Sequence, residues 1–155
     1  MTLYPLRPNV CMLVRNSSGR LFLGERLGEP GVWQFPQGGI DEGLTAEASV
    51  LKELHEELGI PAHLLRIERR LAATHSYEFT APRDYSGRIF RGQAQSFWLV
   101  EFLGADTDIR LDLHEPEFMN WRWCTPAEVA ALADPQRLPG YQAPLAEVAA
   151  LLTPR

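Results

Sequence analysis

The stretch GGIDEGLTAEASVLKELHEELGI, residues 38–60, carries the strongest structural signal in the chain. From Thr45 to Leu58 its apolar residues recur at the spacing of one helix face, which predicts an amphipathic helix. Thr45 can cap the first turn of this helix, and Gly59 followed by Pro61 ends it. The apolar positions expected to face the core are Val50, Leu51, Leu54 and Leu58.

Three glutamates of the same helix, Glu53, Glu56 and Glu57, stand at positions i, i+3 and i+4. This spacing places their carboxylates within an arc of about 100° on one side of the helix. Carboxylate oxygens are ligands that Mg²⁺ prefers, and Gly38 and Gly39 before the helix would let the backbone approach a ligand closely. A divalent-metal site and a merely solvated acidic face both fit the spacing.

The net charge of −5 is concentrated in this stretch. Residues 38–60 contain six acidic residues and a single base, Lys52, whereas the rest of the chain contains 14 acidic and 14 basic residues. All 14 of those bases are arginines, whose planar guanidinium can bind two phosphate oxygens at once, although GC-rich codon usage would also enrich arginine. The distribution favours a site for metal and phosphate.

The length and composition fit one globular domain over residues 1–155. Hydrophobic residues make up 45% of the chain, but its longest unbroken apolar runs have five residues, far fewer than the roughly 20 of a transmembrane helix. No secretory leader is recognised, so a cytoplasmic location is expected. Cys11 and Cys124 lie in apolar segments, which favours buried free thiols over a disulfide.

The remaining patterns predict an α/β fold with a mixed sheet. Asn9–Arg15 and Arg20–Glu25 would form an opening hairpin through a polar turn. Tyr77–Gly92 is predicted to be a long functional or mobile loop. A capping box at 125–128 opens a helix that runs to about residue 133, and a second helix would follow Pro144. Further strands are predicted at Arg66–Thr74, Gln93–Leu103 and Phe118–Trp123.

Residues 38–60 resemble the Nudix box, written GX5EX7REUXEEXGU with U apolar. With the first glycine of the box at Gly38, the core glutamates fall on Glu53, Glu56 and Glu57, and the closing pair falls on Gly59 and Ile60. Two positions depart from the pattern, since Leu44 replaces the first glutamate and Lys52 replaces the arginine. In the family those two side chains interact and help to orient the helix, so their joint change affects the expected efficiency more than the family membership.

The resemblance extends over roughly residues 7–125. Segments 7–10, 33–40, 92–95 and 116–123 resemble the Nudix branch that contains RNA 5′-pyrophosphohydrolases and asymmetrically cleaving diadenosine tetraphosphate hydrolases. That branch commonly has a lysine after its Gln-X-Gln motif, where this chain has Ser96. Arg88 or Arg91 could supply the missing phosphate contact.

The resemblance implies an α/β/α sandwich with a mixed β-sheet, in which the helix of the box lies at the active site. It also implies hydrolysis of a phosphoanhydride bond in a nucleoside polyphosphate with Mg²⁺ or Mn²⁺ as cofactor. Glu56 is expected to lie closest to the attacking water, with Glu117 or Glu53 as the competing base. The metal ligands expected from the resemblance are Glu53, Glu56, Glu57, Glu117 and the carbonyl of Gly38.

Other residues are candidates for substrate binding. Arg7 and Arg26 could contact phosphates or could be plain surface arginines, and Tyr77 could stack on a base or simply pack in its loop. Gln93 and Gln95 alternate on a strand and should share one face, which is a candidate wall of the cleft. No role is predicted for the four histidines, three of which, His63, His75 and His114, are isolated in the sequence.

The sequence favours a hydrolase of dinucleoside polyphosphates such as diadenosine tetraphosphate. The alternative is an RNA 5′-pyrophosphohydrolase, which the lack of an obvious basic track in the sequence mildly disfavours. A third possibility is a non-catalytic nucleotide sensor, suggested by Leu44, Lys52 and Ser96. The expected partner is a small nucleotide or the 5′ end of an RNA, and no DNA or membrane partner is expected. The sequence does not predict the oligomeric state.

Overall fold

A computed structural model describes residues 3–152 of the chain. Within this range no helix is both long and apolar enough to span a membrane. The strands of the described range are β1 Leu6–Arg15, β2 Leu21–Arg26, β3 Trp33–Gln34, β4 Gln37–Gly39, β5 Leu65–Tyr85, β6 Arg88–Phe102 and β7 Phe118–Cys124. Its helices are α1 Ala46–Leu58, α2 Pro126–Leu132 and α3 Leu138–Leu152.

These strands form one mixed sheet, as the sequence predicts. The central order is β3-β2-β1-β6-β5, while β4 pairs with β1 and β7 pairs with β2. β1 and β6 are parallel, and the hairpin of β1 and β2 is antiparallel. The prediction of an opening hairpin is therefore confirmed.

The sheet lies between two layers of helices. β1 is apolar on both faces, so alternate residues enter two separate cores. Val10, Met12 and Val14 pack with the apolar residues of α1, whereas Cys11 and Leu13 pack with residues of α2 and α3. The chain thus has the α/β/α arrangement expected from the resemblance. Cys11 and Cys124 are buried free thiols, as predicted.

α1 forms where the spacing predicts it. The hydroxyl of Thr45 accepts a hydrogen bond from the backbone N–H of Ala48 at 3.1 Å. Gly59 ends the helix with a φ of 69°, a conformation that favours glycine. A Cβ at Gly59 would also lie 2.4 Å from the carbonyl oxygen of Arg110, so this helix end is closely covered by the chain.

The prediction of a loop at Tyr77–Gly92 is wrong. β5 and β6 continue outward as one long hairpin that turns at Ser86 and Gly87, both of which have positive φ. The proline that suggested a break, Pro82, lies in an irregular stretch where the pairing register shifts and no ladder hydrogen bond is needed from it.

The second C-terminal helix also differs from its prediction. α3 begins at Leu138 and continues through Pro144, instead of beginning after that proline. A proline inside a helix costs about 3 kcal/mol. Burial of Tyr141, Leu145 and Val148 against the sheet offsets this cost. α2 begins with the predicted capping box of Thr125 and Glu128.

Candidate active site

Two glycines of β4 let charged side chains lie directly on the backbone. A Cβ built on Gly38 would lie 2.2 Å from the carboxyl carbon of Glu53, so this position cannot hold a larger residue without displacing the glutamate. A Cβ on Gly39 would lie 2.0 Å from Cζ of Arg7. The glycine pair thus allows a carboxylate and a guanidinium to approach the same short strand.

Glu57 is the most enclosed carboxylate of α1, with 5% of its surface exposed. Its side chain accepts a hydrogen bond from the backbone N–H of Gln37 at 3.1 Å. Burial, followed by the charges of Glu53 and Glu117, raises the pKa of Glu57 well above its usual value. Burial and the charge of Glu56 raise the pKa of Glu53 to about 7. This end of the cleft therefore holds more negative charge than its neighbours compensate.

Glu56 lies at the exposed edge of the same helix and is held by Lys52. The ammonium of Lys52 is 3.0 Å from the carboxylate of Glu56 and 3.0 Å from that of Asp41. Hydrogen bonds to Asp41 and then to Glu56 raise the pKa of Lys52. Leu44, which stands where the family pattern has an acid, is exposed, and Asp41 supplies the acidic partner of Lys52 instead.

The carboxylate oxygens of these glutamates and the carbonyl oxygen of Gly38 are chemically suited to bind a hard divalent cation. Carboxylate and carbonyl oxygens are the ligands that Mg²⁺ takes, and a cation would offset both the burial and the mutual repulsion that raise the pKa values of Glu53 and Glu57. In residues 3–152 no three His, Cys, Asp or Glu side chains converge on one ion as they stand. Glu117 is exposed and Glu56 is half-exposed, and Glu56 must leave its ion pair with Lys52 to turn toward Glu53 and Glu57. Glu117 is fixed through its backbone, since its carbonyl accepts the N–H of Leu27 at 2.9 Å.

A network of side-chain amides lies beside these carboxylates. Asn9 is 1% exposed, and its amide donates to the side-chain oxygens of Gln37 at 2.7 Å and Gln93 at 2.6 Å. Gln95 donates to Asn9 at 3.1 Å, and Gln93 donates to the hydroxyl of Tyr77 at 3.0 Å. The network therefore joins β1, β4, β6 and β5.

A cavity of about 310 Å³ opens next to this network. Gln37, Gln95 and Tyr77 line it, so the structure brings two of the predicted substrate residues together there. Gln37 also connects the cavity to the carboxylates, because its backbone N–H binds Glu57. The other lining residues, which sequence reasoning did not assign to the site, are His75, Arg83, Gln136, Arg137 and Tyr141. They come from β5 and from the region of α3, and no local motif marks them.

The two predicted phosphate-binding arginines have different surroundings. The guanidinium of Arg7 lies over the ring of Tyr85, 4.1 Å from its centroid, and its charge acts on Glu53. Arg26 forms an ion pair with Glu29 and donates to the side chain of Gln34 at 3.1 Å. Only Arg7 of this pair has a described interaction with the carboxylates of α1.

Ser96, the residue that replaces the branch's lysine, is buried. Its hydroxyl accepts a hydrogen bond from the indole of Trp98 at 2.9 Å. Of the two arginines considered as substitutes, Arg91 pairs with Glu78 at 2.9 Å, while Arg88 lines a second cavity together with Arg7.

His55 and His114 are not isolated, contrary to the sequence-based interpretation of His114. Nε2 of His114 lies 3.0 Å from Nδ1 of His55, and the ring centroids are 4.7 Å apart. The pair connects α1 to the segment that leads to Glu117. A separation of 59 residues along the chain gives no local signal for this contact.

A mixed sheet between helices, with an acidic helix packed beside a Gly-Gly strand, is the arrangement that the resemblance to Nudix hydrolases implies. The NUDIX domain model matches residues 5–144, and the chain therefore belongs to the Nudix family. It is a Nudix-type pyrophosphohydrolase, as its curated relatives indicate.

The chain is 43% identical over 138 residues to an RNA pyrophosphohydrolase of Novosphingobium aromaticivorans, covering 84% of each protein. It is 36% identical over 153 residues to an RNA pyrophosphohydrolase of Sphingopyxis alaskensis, covering 96% of each.

Solved structures share the fold at low sequence identity. An Ap4A hydrolase of C. elegans superposes with a TM-score of 0.65 at 19% identity, covering 93% of this chain and 97% of that one. A MutT protein from Methanosarcina mazei Go1 superposes with a TM-score of 0.70 at 16% identity, covering 95% and 97%.

Proposed function

We propose that this protein is an RNA 5′-pyrophosphohydrolase, which releases pyrophosphate from 5′-triphosphorylated RNA with the help of Mg²⁺ or Mn²⁺. What carries the proposal is the match to relatives named RNA pyrophosphohydrolase over 84% and 96% of their length. The sequence alone favours dinucleoside polyphosphates over RNA, and this match reverses that preference. The neighbouring Ap4A hydrolase structure is 19% identical and supports the fold alone.

We propose that Glu53, Glu56, Glu57, Glu117 and the carbonyl of Gly38 hold the metal. A bound divalent ion neutralises charge on the phosphates and lowers the pKa of a water molecule. Glu57 suits a fixed ligand, because it is buried and its carboxylate is held by the backbone of β4. Glu53 lies directly against the backbone of Gly38, beside the proposed carbonyl ligand.

Glu56 is proposed to accept the proton of the attacking water. It is less buried than Glu57, and its carboxylate is paired with Lys52 at 3.0 Å. Glu117 and Glu53 are the competing candidates for this role. Arg7 is proposed to contact the phosphates, because its guanidinium lies against Gly39 beside Glu53.

The cavity beside Gln37 is proposed to receive a nucleoside of the substrate. Its volume of about 310 Å³ falls at the lower end of the range for small-molecule sites. Gln95 and the amide network offer hydrogen bonds to a base edge, and Tyr77 offers a ring for stacking. The cavity adjoins the carboxylates, so a base bound there would place its 5′ phosphates near α1.

The test is product analysis on 5′-triphosphorylated RNA and diadenosine tetraphosphate side by side, with Mg²⁺, with Mn²⁺ and with chelator. We expect chelator-sensitive release of pyrophosphate from RNA and slower cleavage of the dinucleotide. Preferential formation of ATP and AMP would restore the dinucleoside polyphosphate as the main substrate. Inactivity on both substrates would favour the third possibility, a non-catalytic nucleotide sensor.

Two variants on one helix provide the control. Glu56→Gln should reduce turnover at least about a hundredfold, as expected for a general base. Glu47→Gln, an exposed acid in the first turn of the same helix, should keep wild-type turnover.

A further inference from the structure

The outer part of the β5–β6 hairpin carries a chain of aromatic rings, here called the aromatic ladder: Tyr77, Phe79, Tyr85 and Phe90. The centroids of successive rings lie 6.0, 6.3 and 6.0 Å apart. None of the four rings belongs to either hydrophobic core cluster of the described residues. Phe90 is nevertheless buried, with 4% of its surface exposed, and anchors the ladder on the sheet. Tyr77 is exposed and Phe79 and Tyr85 are half-buried, so burial in the core does not account for these three rings.

An arginine guanidinium stacks over each of three of the rings. The guanidinium carbon lies 4.1 Å from the ring centroid for Arg83 over Phe79, and 4.1 Å for Arg7 over Tyr85. Arg88 lies over the ring of Phe90 at 5.2 Å. Stacking of this kind fixes the guanidinium planes without neutralising their charge.

The acidic residues around the ladder leave most of this charge uncompensated. Glu78 pairs with Arg91 rather than with a stacked arginine, and Asp84 accepts the N–H of Gly87 at 2.7 Å. Arg88 is 3.9 Å from Glu42. In the described range Arg7 and Arg83 form no ion pair.

The ladder is continuous with the candidate active site at both ends. Tyr77 and Arg83 line the cavity beside Gln37. At the other end Arg7 and Tyr85 line a second cavity of about 250 Å³, and Arg7 lies against Gly39 of β4. A chain that leaves the first cavity would meet the ladder next.

We propose that the aromatic ladder binds the single-stranded RNA that follows the 5′ nucleotide of the substrate; the inference rests on the proposed function. Single-stranded RNA bases stack on aromatic rings and on guanidinium planes, and arginine binds the phosphates between them. A dinucleoside polyphosphate has no chain to lie along such a surface. The fold thus assembles, from residues scattered in the sequence, the arginine track that charge counting does not reveal.

The direct test measures binding of a 5′-monophosphorylated RNA octamer with a 3′ fluorescein, by fluorescence anisotropy, with unlabelled 5′-monophosphorylated dinucleotide as competitor. The octamer carries no triphosphate, so no turnover occurs. We expect it to bind about tenfold tighter than the dinucleotide, and Phe79→Ala to weaken octamer binding about tenfold without affecting the dinucleotide. Phe79→Tyr should preserve binding, as should Ile89→Ala, which removes an exposed apolar residue of the same hairpin.

A second variant guards against a folding defect in Phe79→Ala. Arg88→Gln keeps every ring and should weaken octamer binding several-fold, with a shallower dependence on salt. Equal affinity of the wild-type protein for octamer and dinucleotide would overturn the ladder proposal. So would an octamer affinity that neither Phe79→Ala nor Arg88→Gln changes.

Turnover of 5′-triphosphorylated RNA separates this proposal from the proposed function. With a triphosphorylated octamer, Phe79→Ala should raise KM about tenfold and leave kcat unchanged, and with a triphosphorylated dinucleotide it should change neither. An enzyme that hydrolyses neither RNA but binds the octamer through Phe79 would refute the proposed activity and support the ladder. If wild type and Phe79→Ala hydrolyse both RNAs equally well, the proposed activity is supported and the ladder proposal is refuted.

Discussion

Lys52 stands between two carboxylates, and this position gives Asp41 a role that the family pattern assigns to another residue. Both ion pairs are partly exposed, so each contributes at most about 1 kcal/mol. Asp41 draws part of the charge of Lys52 away from Glu56. The acid that the sequence lacks at position 44 is thus supplied by the turn before α1.

Asp41→Asn should therefore raise the Mg²⁺ concentration needed for half-maximal activity, by up to about fivefold. Without Asp41 the ammonium of Lys52 would interact with Glu56 alone and compete more strongly with the metal ion. A metal titration of the initial rate measures the effect. Glu42→Gln, the exposed neighbouring acid, is the matched control. An unchanged or lower metal requirement in Asp41→Asn would contradict the role of Asp41.

The raised pKa values of Glu53 and Glu57 make the stability of the metal-free protein depend on pH. In the unfolded chain both groups ionise near their ordinary value, whereas in the folded protein they hold their protons to higher pH. The unfolded state therefore loses protons first as pH rises above about 4.5. Stability should fall from there until the folded groups have also ionised, near pH 7 for Glu53.

Glu57→Gln should accordingly raise the Tm of the metal-free protein at alkaline pH and leave it nearly unchanged near pH 4. The amide oxygen of the glutamine can still accept the N–H of Gln37, so the packing of β4 on α1 is kept. Thermal unfolding with chelator present measures this, with Glu47→Gln as the control. A variant that melts below wild type at alkaline pH would show that the carboxylate of Glu57 stabilises the fold.

At the level of elements, the segment between Asp108 and Glu117 is attached to α1 at two points. The N–H of Arg110 donates to the carbonyl of Leu58 at 2.7 Å, and His114 contacts His55. These contacts restrict the backbone that leads to Glu117, so the position of this candidate ligand depends on them.

His114→Ala should loosen this segment and reduce kcat a few-fold, while the Tm changes little because the contact is exposed and His114 lies at the surface. Hydrogen exchange of the amides in residues 111–117 should become faster, with α1 unaffected. His63→Ala, an exposed histidine outside this contact, should change neither exchange nor kcat. Unchanged exchange in His114→Ala would mean that the contact of Arg110 alone holds the segment.

Sequence reasoning predicts elements well where the signal is local. α1 has regular apolar spacing, a capping threonine and a glycine in the left-handed conformation, and it forms as predicted. The outer hairpin is missed because Pro82 and Gly92 resemble breaks, while the pairing that tolerates them is visible only in the sheet register. The predicted start of α3 is too late, because the packing of this helix against the sheet outweighs the local free-energy cost of Pro144.

The same distinction applies to the candidate site. The carboxylates of α1 and the glycines of β4 are local in sequence and are identified from it. The cavity residues Arg83 and Arg137 come from distant elements, and Asn9 is recognised as the centre of the amide network only from its three partners. Tertiary contacts of this kind have no period or motif from which they could be predicted.

At the scale of the whole molecule, Asn9 connects the strands on which the two halves of the site depend. Its amide group bonds the side chains of Gln37, Gln93 and Gln95, which belong to β4 and β6. β4 carries the glycines against α1, while β6 carries the wall of the cavity. A displacement of Asn9 should therefore shift both the strand beside the carboxylates and the wall of the nucleoside cavity.

Asn9→Ala should lower the free energy of unfolding by about 2 kcal/mol, because the buried amide of Gln93 and the half-buried amides of Gln37 and Gln95 lose their partner. Urea unfolding measures this loss, and Asn120→Ala, an exposed asparagine of β7, is the control with an expected change below about 0.5 kcal/mol. Because Gln37 and Gln95 line the cavity, KM should rise in Asn9→Ala while added metal restores little of the activity. A variant with wild-type stability and a higher KM would show that Asn9 acts only in substrate binding. A variant with lower stability and an unchanged KM would show that Asn9 only stabilises the fold.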